Sequence, residues 1–374
     1  MALGGLIALA AAMGIGRFVY TPILPFMEEG LGLSKAEGGV IASVNYLGYL
    51  LGALAAAWTA LPGGRRAWFL AALGLSALTT GIMGVTSSLP LFLGLRFAGG
   101  AASAFVLVFA SALVLDRLAA AGRSGLSAVH FAGVGCGIAA SALLVAGLAA
   151  AGYGWRAQWL LSGAVSLLAL GAAARLIPGG VEAKPPPAIR GAGIDRRLTA
   201  LIVAYGLFGF GYVITATFIS TMVRAAPEVR FIEPVVWLVV GLAAVPSVAL
   251  WNRIGRRLGN GRAFAIACLV EGVGVALSVL AASAWAILLA AALLGGTFMG
   301  ITALGLIHAR SLSKGDPRRS LALMTAAFGL GQMIGPIFAG FAYGLGDSFL
   351  APSLVAAVAL LVGAGLVAAP PPPR

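Results

Sequence analysis

Residues 354–369 read LVAAVALLVGAGLVAA, without one charged or hydrogen-bonding side chain. A second row, ASALLVAGLAAA at residues 140–151, has a single serine in an otherwise apolar run. Strands of a membrane barrel alternate apolar and polar residues at period two. These rows do not alternate, so they are helices, and with no polar face they are solvated by lipid. The rest of the chain has the same character. It is 61% hydrophobic and only 9% charged, whereas an ordinary soluble domain carries about 25% charged residues. Backbone groups in a bilayer must find partners within the chain, so the composition predicts an all-α membrane protein.

At about twenty apolar residues per crossing, the sequence predicts twelve spans. They lie near residues 3–27, 35–61, 66–86, 89–116, 124–151, 155–177, 198–224, 232–250, 261–283, 285–309, 319–345 and 349–369. Loop charge sets their orientation. Of the 24 Lys and Arg residues, Arg17 and Arg96 fall inside spans, and Lys35, Arg156, Arg224 and Arg230 lie on one side. All the others, including Lys184, Arg190, Lys314 and Arg374, follow even-numbered spans. That asymmetry places the basic side and both termini in the cytoplasm of a bacterial inner membrane, and it requires an even number of spans. The net charge of +13 therefore reads as topology, not as nucleic-acid contact. The apolar stretch from Ala2 has no positive leading region and contains Arg17, so it reads as a retained first helix. Cys136 and Cys268 sit inside spans as small packing residues, with no disulfide or metal pattern.

The longest polar segment, residues 178–197, contains Pro185-Pro186-Pro187, Gly191 and Gly193 and reads as a cytoplasmic linker. It separates a six-helix half at 1–177 from another at 198–374. The halves look like repeats. Gly14-Ile15-Gly16 matches Gly209-Phe210-Gly211, Gly64-Arg65-Arg66 matches Gly255-Arg256-Arg257, Gly99-Gly100 matches Gly295-Gly296, and Gly133-Val134-Gly135 matches Gly329-Leu330-Gly331. The offset stays between 191 and 196 residues, and this constancy carries weight that single glycine pairs would not.

This arrangement resembles the major facilitator superfamily, in which two six-helix bundles are related about the membrane normal. Trp251-Asn252-Arg253-Ile254-Gly255-Arg256-Arg257 is similar to that family's D-R-x-G-R-R loop signature, and Arg96 with Gly99 and Gly100 to its helix-4 pattern. The opening Gly14-Ile15-Gly16-Arg17-Phe18-Val19-Tyr20-Thr21-Pro22-Ile23-Leu24-Pro25 resembles one bacterial branch whose members mostly lack an assigned substrate. The resemblance implies alternating access about a midplane site, with helices 3, 6, 9 and 12 outside the cavity and a link between Arg96 and proton coupling. It is incomplete. Asn252 and, in the first half, Leu61 stand where the family's loop carries the Asp that latches the cytoplasmic side. Helix 5 lacks the Gly-Pro pair of drug antiporters.

Ionisable groups inside a bilayer are costly and are functional candidates by default. Arg17 lies about 21 Å into the first span at 1.5 Å per residue, with Tyr20 and Thr21 on its face and Pro22 and Pro25 able to bend the helix. A guanidinium there suits a carboxylate or phosphate; it also suits freed backbone carbonyls. Arg96 has the same two readings. Asn45 and Tyr49 share a stripe of span 2, beside Tyr46, and Gln332 lies next to Gly331, Gly335 and Pro336. Tyr212, Thr215 and Thr217 add neutral polar groups. His130, able to titrate near neutrality, and Glu271, the one acid deep in a span, are the proton-coupling candidates; His308 reads as interfacial. No G-x-x-x-x-G-K-[ST] loop, triad or metal cluster appears, so the chain reads as neither ATP-driven nor an enzyme, and it needs no cofactor. The expected function is secondary transport of a small organic anion by a monomer, with substrate contacts from Arg17, Tyr20, Asn45, Tyr49, Arg96 and Gln332. The alternatives are an exporter of drugs or hydrophobic metabolites and a non-transporting scaffold.

Overall fold

The computed structural model describes residues 1–57, 64–179, 195–313 and 317–368. Every regular element among them is helical. Twelve helices are long and apolar enough to cross a membrane: α1 (Ala2–Leu31), α2 (Lys35–Ala56), α3 (Arg65–Val85), α4 (Leu89–Ala120), α5 (Ser124–Ala150), α6 (Trp155–Leu176), α7 (Arg196–Ala225), α8 (Arg230–Leu258), α9 (Asn260–Leu280), α10 (Ala284–Leu312), α11 (Arg319–Gly346) and α12 (Leu350–Ala368). Leu61, most of the 178–197 segment with Lys184 and Arg190, and Lys314 and Arg374 lie outside the described residues.

Local chemistry explains the boundaries. Ser34 caps α2, and Glu37 returns the bond in a capping box. Asp195 caps α7 by accepting the Leu198 N–H. One boundary differs from the sequence reading. The eighth helix does not end near residue 250 but continues to Leu258, because nothing between Trp251 and Arg257 breaks it. It stops at Gly259, whose φ of 85° only glycine adopts readily. Asn252, Arg253, Gly255, Arg256 and Arg257 thus occupy its last turns and are not a free loop. Arg256 and Arg257 sit where the helix dipole is negative.

The repeat seen in the sequence recurs as packing. In the first half, Gly133 and Gly137 of α5 press on the Leu6 and Ala10 carbonyls of α1, where an added Cβ would come within 2.2 Å of either oxygen. In the second half, Gly331 and Gly335 of α11 press in the same way on Gly206 and Phe210 of α7. Gly100 of α4 meets the Asn45 carbonyl of α2, and Gly295 of α10 meets the Val240 carbonyl of α8. Small residues at these places let backbones touch, which is how helices associate where lipid removes the hydrophobic drive. The halves meet where α2 packs on α11, α5 on α8 and α1 on α7. Leu168 on α6 and Val273 on α9 are exposed, as lipid-facing positions should be.

Candidate functional site

The site begins with a break in α1. Residues Ala10–Ile15 wind as a π-helix and the α-helix resumes only at Tyr20. The Gly16 N–H reaches back to the Ala11 carbonyl and the Phe18 N–H to that of Met13, each spanning five residues. Pro22 explains the far edge of the break. It has no N–H to give, so the Phe18 carbonyl takes the Thr21 N–H instead. That N–H would have served the Arg17 carbonyl. The Gly16 and Arg17 carbonyls are left to other donors, at a π-bulge of the kind that often marks function.

Arg96 of α4 supplies them. Its Nη1 donates to the Gly16 carbonyl and its Nη2 to the Arg17 carbonyl, both at 3.0 Å. Its guanidinium lies 5.0 Å from the Tyr20 ring centre and 5.8 Å from that of Trp159. Asn45 of α2 donates to the carbonyl of Arg96 itself at 2.8 Å. Tyr20 donates to the Gly38 carbonyl at 2.8 Å. These three expected substrate contacts are therefore turned inward, binding α1, α2 and α4 to one another.

Arg17 is placed differently. It points to the seam between the halves, where its Nη2 donates to Gln332 Oε1 of α11 at 2.8 Å. Tyr49 lies under the guanidinium at 3.9 Å, Tyr46 at 4.8 Å and Phe18 at 5.4 Å. Gln332 in turn donates to the Tyr212 hydroxyl of α7. Tyr212 is parallel to Phe298 and Phe328, with ring centres 5.7 and 5.9 Å away. The result is one polar chain, Arg17–Gln332–Tyr212, crossing between halves along an aromatic wall. Arg17 is 3% exposed and Gln332 not at all. Among the described residues no carboxylate pairs with either buried arginine, and Arg17 Nε has no partner.

The other candidates lie elsewhere. His130 is buried in the first half, its Nε2 3.0 Å from Ser111 Oγ and its ring against Gly5. Glu271 of α9 is completely buried, and neither of its oxygens has a hydrogen-bond partner. The Thr297 hydroxyl beside it already donates to the Leu293 carbonyl at 2.6 Å. Of the loop-motif arginines, Arg65 pairs with Asp116 at 3.2 Å, and Arg66 caps α6 through the Ile177 and Ala174 carbonyls at 2.9 and 2.8 Å.

Hydrogen bonds and ion pairs between the halves are one-sided. Among the described residues all lie at Arg17 or beyond it toward the α1–α2 turn. Thr21 donates to the Ala216 carbonyl at 2.6 Å, Thr221 to Glu28 at 3.3 Å, and Arg224 grips both oxygens of Glu29 at 2.7 and 2.8 Å. Arg224 also holds Glu233 at 2.8 Å. The sequence reading missed this closure, since acids at a helix end look like an ordinary solvated turn. It also missed Phe18, Phe298 and Phe328; phenylalanines are common in every span, and nothing in the sequence brings these three together.

Comparison with known proteins agrees with this architecture. The family model for "Uncharacterised MFS-type transporter YbfB" matches residues 9–368. A crystal structure of a mutant nucleoside transporter NupG superposes with TM-score 0.76 at 14% identity, covering 98% of this chain and 99% of that one. Another NupG structure gives 0.71 at 15% identity, covering 98% of each. A bacterial homologue of the human lysosomal transporter Spinster, solved inward-facing and unoccupied, gives 0.67 at 14% identity, covering 98% of this chain and 94% of that one. At such identities the likeness is one of fold. None of the curated proteins matches the sequence.

Proposed function

From the premise that the chain belongs to the family of MFS-type transporters described by YbfB, and is a multi-pass membrane transporter, not an enzyme, we propose that it moves small organic anions by alternating access, with Arg17 as the anion site. One observation carries this reading: a buried guanidinium at the seam between the halves has, among the described residues, no acid to neutralise it. An isolated buried cation costs several kcal/mol even after relaxation, about as much as a poor ion pair loses to desolvation. Arg96 offsets that cost with two carbonyls, and its position there reads as structural. Both arginines keep an unpartnered Nε–H, but Arg17 alone bonds across the seam, to one side-chain amide, and there its Nε–H suits an incoming carboxylate.

The one-sided bonding between halves supports a rocking mechanism. Contacts from Glu29 down to Arg17 hold the outer side shut, and the basic side carries none of them, which fits an inward-facing state. In the orientation set by loop charge, the basic side is the cytoplasm and the membrane is the bacterial inner membrane. The protein works as a monomer, each chain supplying both halves of its own site. Protons couple through Glu271 and not through His130. Glu271 is a buried acid with both oxygens unengaged and lies within electrostatic range of Tyr212, whereas His130 is tied to Ser111 away from the seam. A hydrophobic neutral cargo is the second reading, favoured by the rings around Arg17.

A thermal-stability screen of the detergent-purified protein separates the two. A ligand that binds only the folded state adds about 2.7 kcal/mol at 100 times its Kd. Stabilisation by carboxylates that disappears in Arg17→Gln supports the anion site. Stabilisation by lipophilic neutral compounds alone, unchanged in Arg17→Gln, overturns it.

A further inference from the structure

Gln332 already holds the group that a carboxylate would need. Its side-chain oxygen accepts from Arg17 Nη2 at 2.8 Å, and a carboxamide oxygen is an acceptor much like one oxygen of a carboxylate. The amide is fixed from behind, because its Nε2 donates to the Tyr212 hydroxyl. The helix that carries it is fixed as well. Gly331 and Gly335 of α11 lie against α7, and Gly329 lies against Leu50 of α2. Gln332 is completely buried, so the bond is made in a dry interior, where polar contacts are strong.

Two features set this bond apart from a tie within one bundle. It joins residues 315 positions apart, on opposite halves. Among the described residues it is also the innermost hydrogen bond between them, since Thr21–Ala216, Thr221–Glu28 and Arg224–Glu29 lie nearer the α1–α2 turn. Its acceptor, moreover, is neutral. A carboxylate brings a full opposite charge to a cation that has none among the described residues. It also commonly pairs with a guanidinium through two N–H groups, where the amide takes one.

We infer that Gln332 is an internal stand-in for the cargo: its amide holds Arg17 until a carboxylate displaces it, and the displacement unties the two halves at the site. This rests on the anion reading of Arg17 and deepens it. Gln332 does not add affinity for the anion. It competes for the same donor, lowers the affinity, and makes the bond between the halves depend on whether the site is filled.

The test is the Kd of acetate, lactate, benzoate and succinate for the full-length purified protein, measured by calorimetry in wild type and two variants. Gln332→Leu removes the competing oxygen. It should tighten carboxylate binding roughly tenfold, the factor of one hydrogen bond to a charged group, while lowering the melting temperature without ligand. A residue that only held the fold would lower the melting temperature and leave affinity unchanged or weaker. Gln332→Glu keeps the size of the side chain and puts a tethered carboxylate on Arg17, and the Tyr212 hydroxyl can turn to donate to it. This variant should melt above wild type without ligand and bind free carboxylates about tenfold more weakly or worse. Unchanged or weaker binding in Gln332→Leu, or wild-type binding in Gln332→Glu, overturns the stand-in role and leaves the anion site standing. No carboxylate binding to either wild type or Gln332→Leu overturns the anion reading together with it.

Discussion

The two buried arginines should respond in opposite ways to the same substitution. Arg96→Gln and Arg17→Gln each remove one cation from a dry interior, so the relief of desolvation is common to both and cancels in a comparison. What differs is what each leaves behind. Without Arg96, the Gly16 and Arg17 carbonyls lose both donors in a region that is completely buried. Each orphaned group costs about 1–3 kcal/mol, and glutamine is too short to reach both. Without Arg17, the Gln332 oxygen loses its donor, one side-chain group against two backbone carbonyls. Arg96→Gln should therefore be less stable than Arg17→Gln by about 1–3 kcal/mol. Thermal unfolding of both variants in the same detergent, without ligand, reads this directly. Equal stability, or a weaker Arg17→Gln, would refute the assignment of one arginine to the fold and the other to the cargo.

The remaining predictions concern the seam and the proton. Gly39 lies against the Pro336 carbonyl, where a Cβ would come within 2.2 Å, so Gly39→Val should force the outer closure apart and cost about 1–3 kcal/mol by overpacking, read as a lowered melting temperature with raised labelling of a cysteine placed at Thr221. Glu29 is 55% exposed, so Glu29→Gln should change stability by less than about 1 kcal/mol yet increase the same labelling, because it unties Arg224 from the first half; unchanged labelling would mean that the pair does not hold the outer side. Glu271→Gln should fold normally and lose the acceleration of uptake by an imposed pH gradient, whereas His130→Asn should keep it; the reverse pattern would move proton coupling to His130.

Most of the architecture could be read from the sequence, because lipid makes the rule strict. A span must be long, apolar and helical, and twelve such rows stand out between charged turns. The eighth span was read too short because its end is charged, and charge near a membrane surface does not end a helix; Gly259 does. The fractured first helix was harder. Pro22 and Pro25 suggested a bend near themselves, but the distortion begins at Ala10, propagated backward through hydrogen bonds that skip a residue. Arg17 and Arg96 could both be picked out as costly intramembrane cations. Their different employment could not, since it depends on which carbonyls the break frees and which helix lies opposite. Asn45 and Tyr20 had the polar groups of a cavity wall, yet nearby carbonyls claimed both. The seam residues were the least legible: Gln332 and Tyr212 meet Arg17 only because two halves distant in sequence fold against each other.

Uptake of a radiolabelled carboxylate into proteoliposomes holding the wild-type chain or Arg17→Gln shows whether an anion is carried at the seam. Saturable uptake by the wild type, absent in a well-folded Arg17→Gln, is the result expected of an anion site at the seam. Saturable carboxylate uptake that survives the substitution would contradict it, leaving Arg17 as a structural cation and placing the cargo site elsewhere.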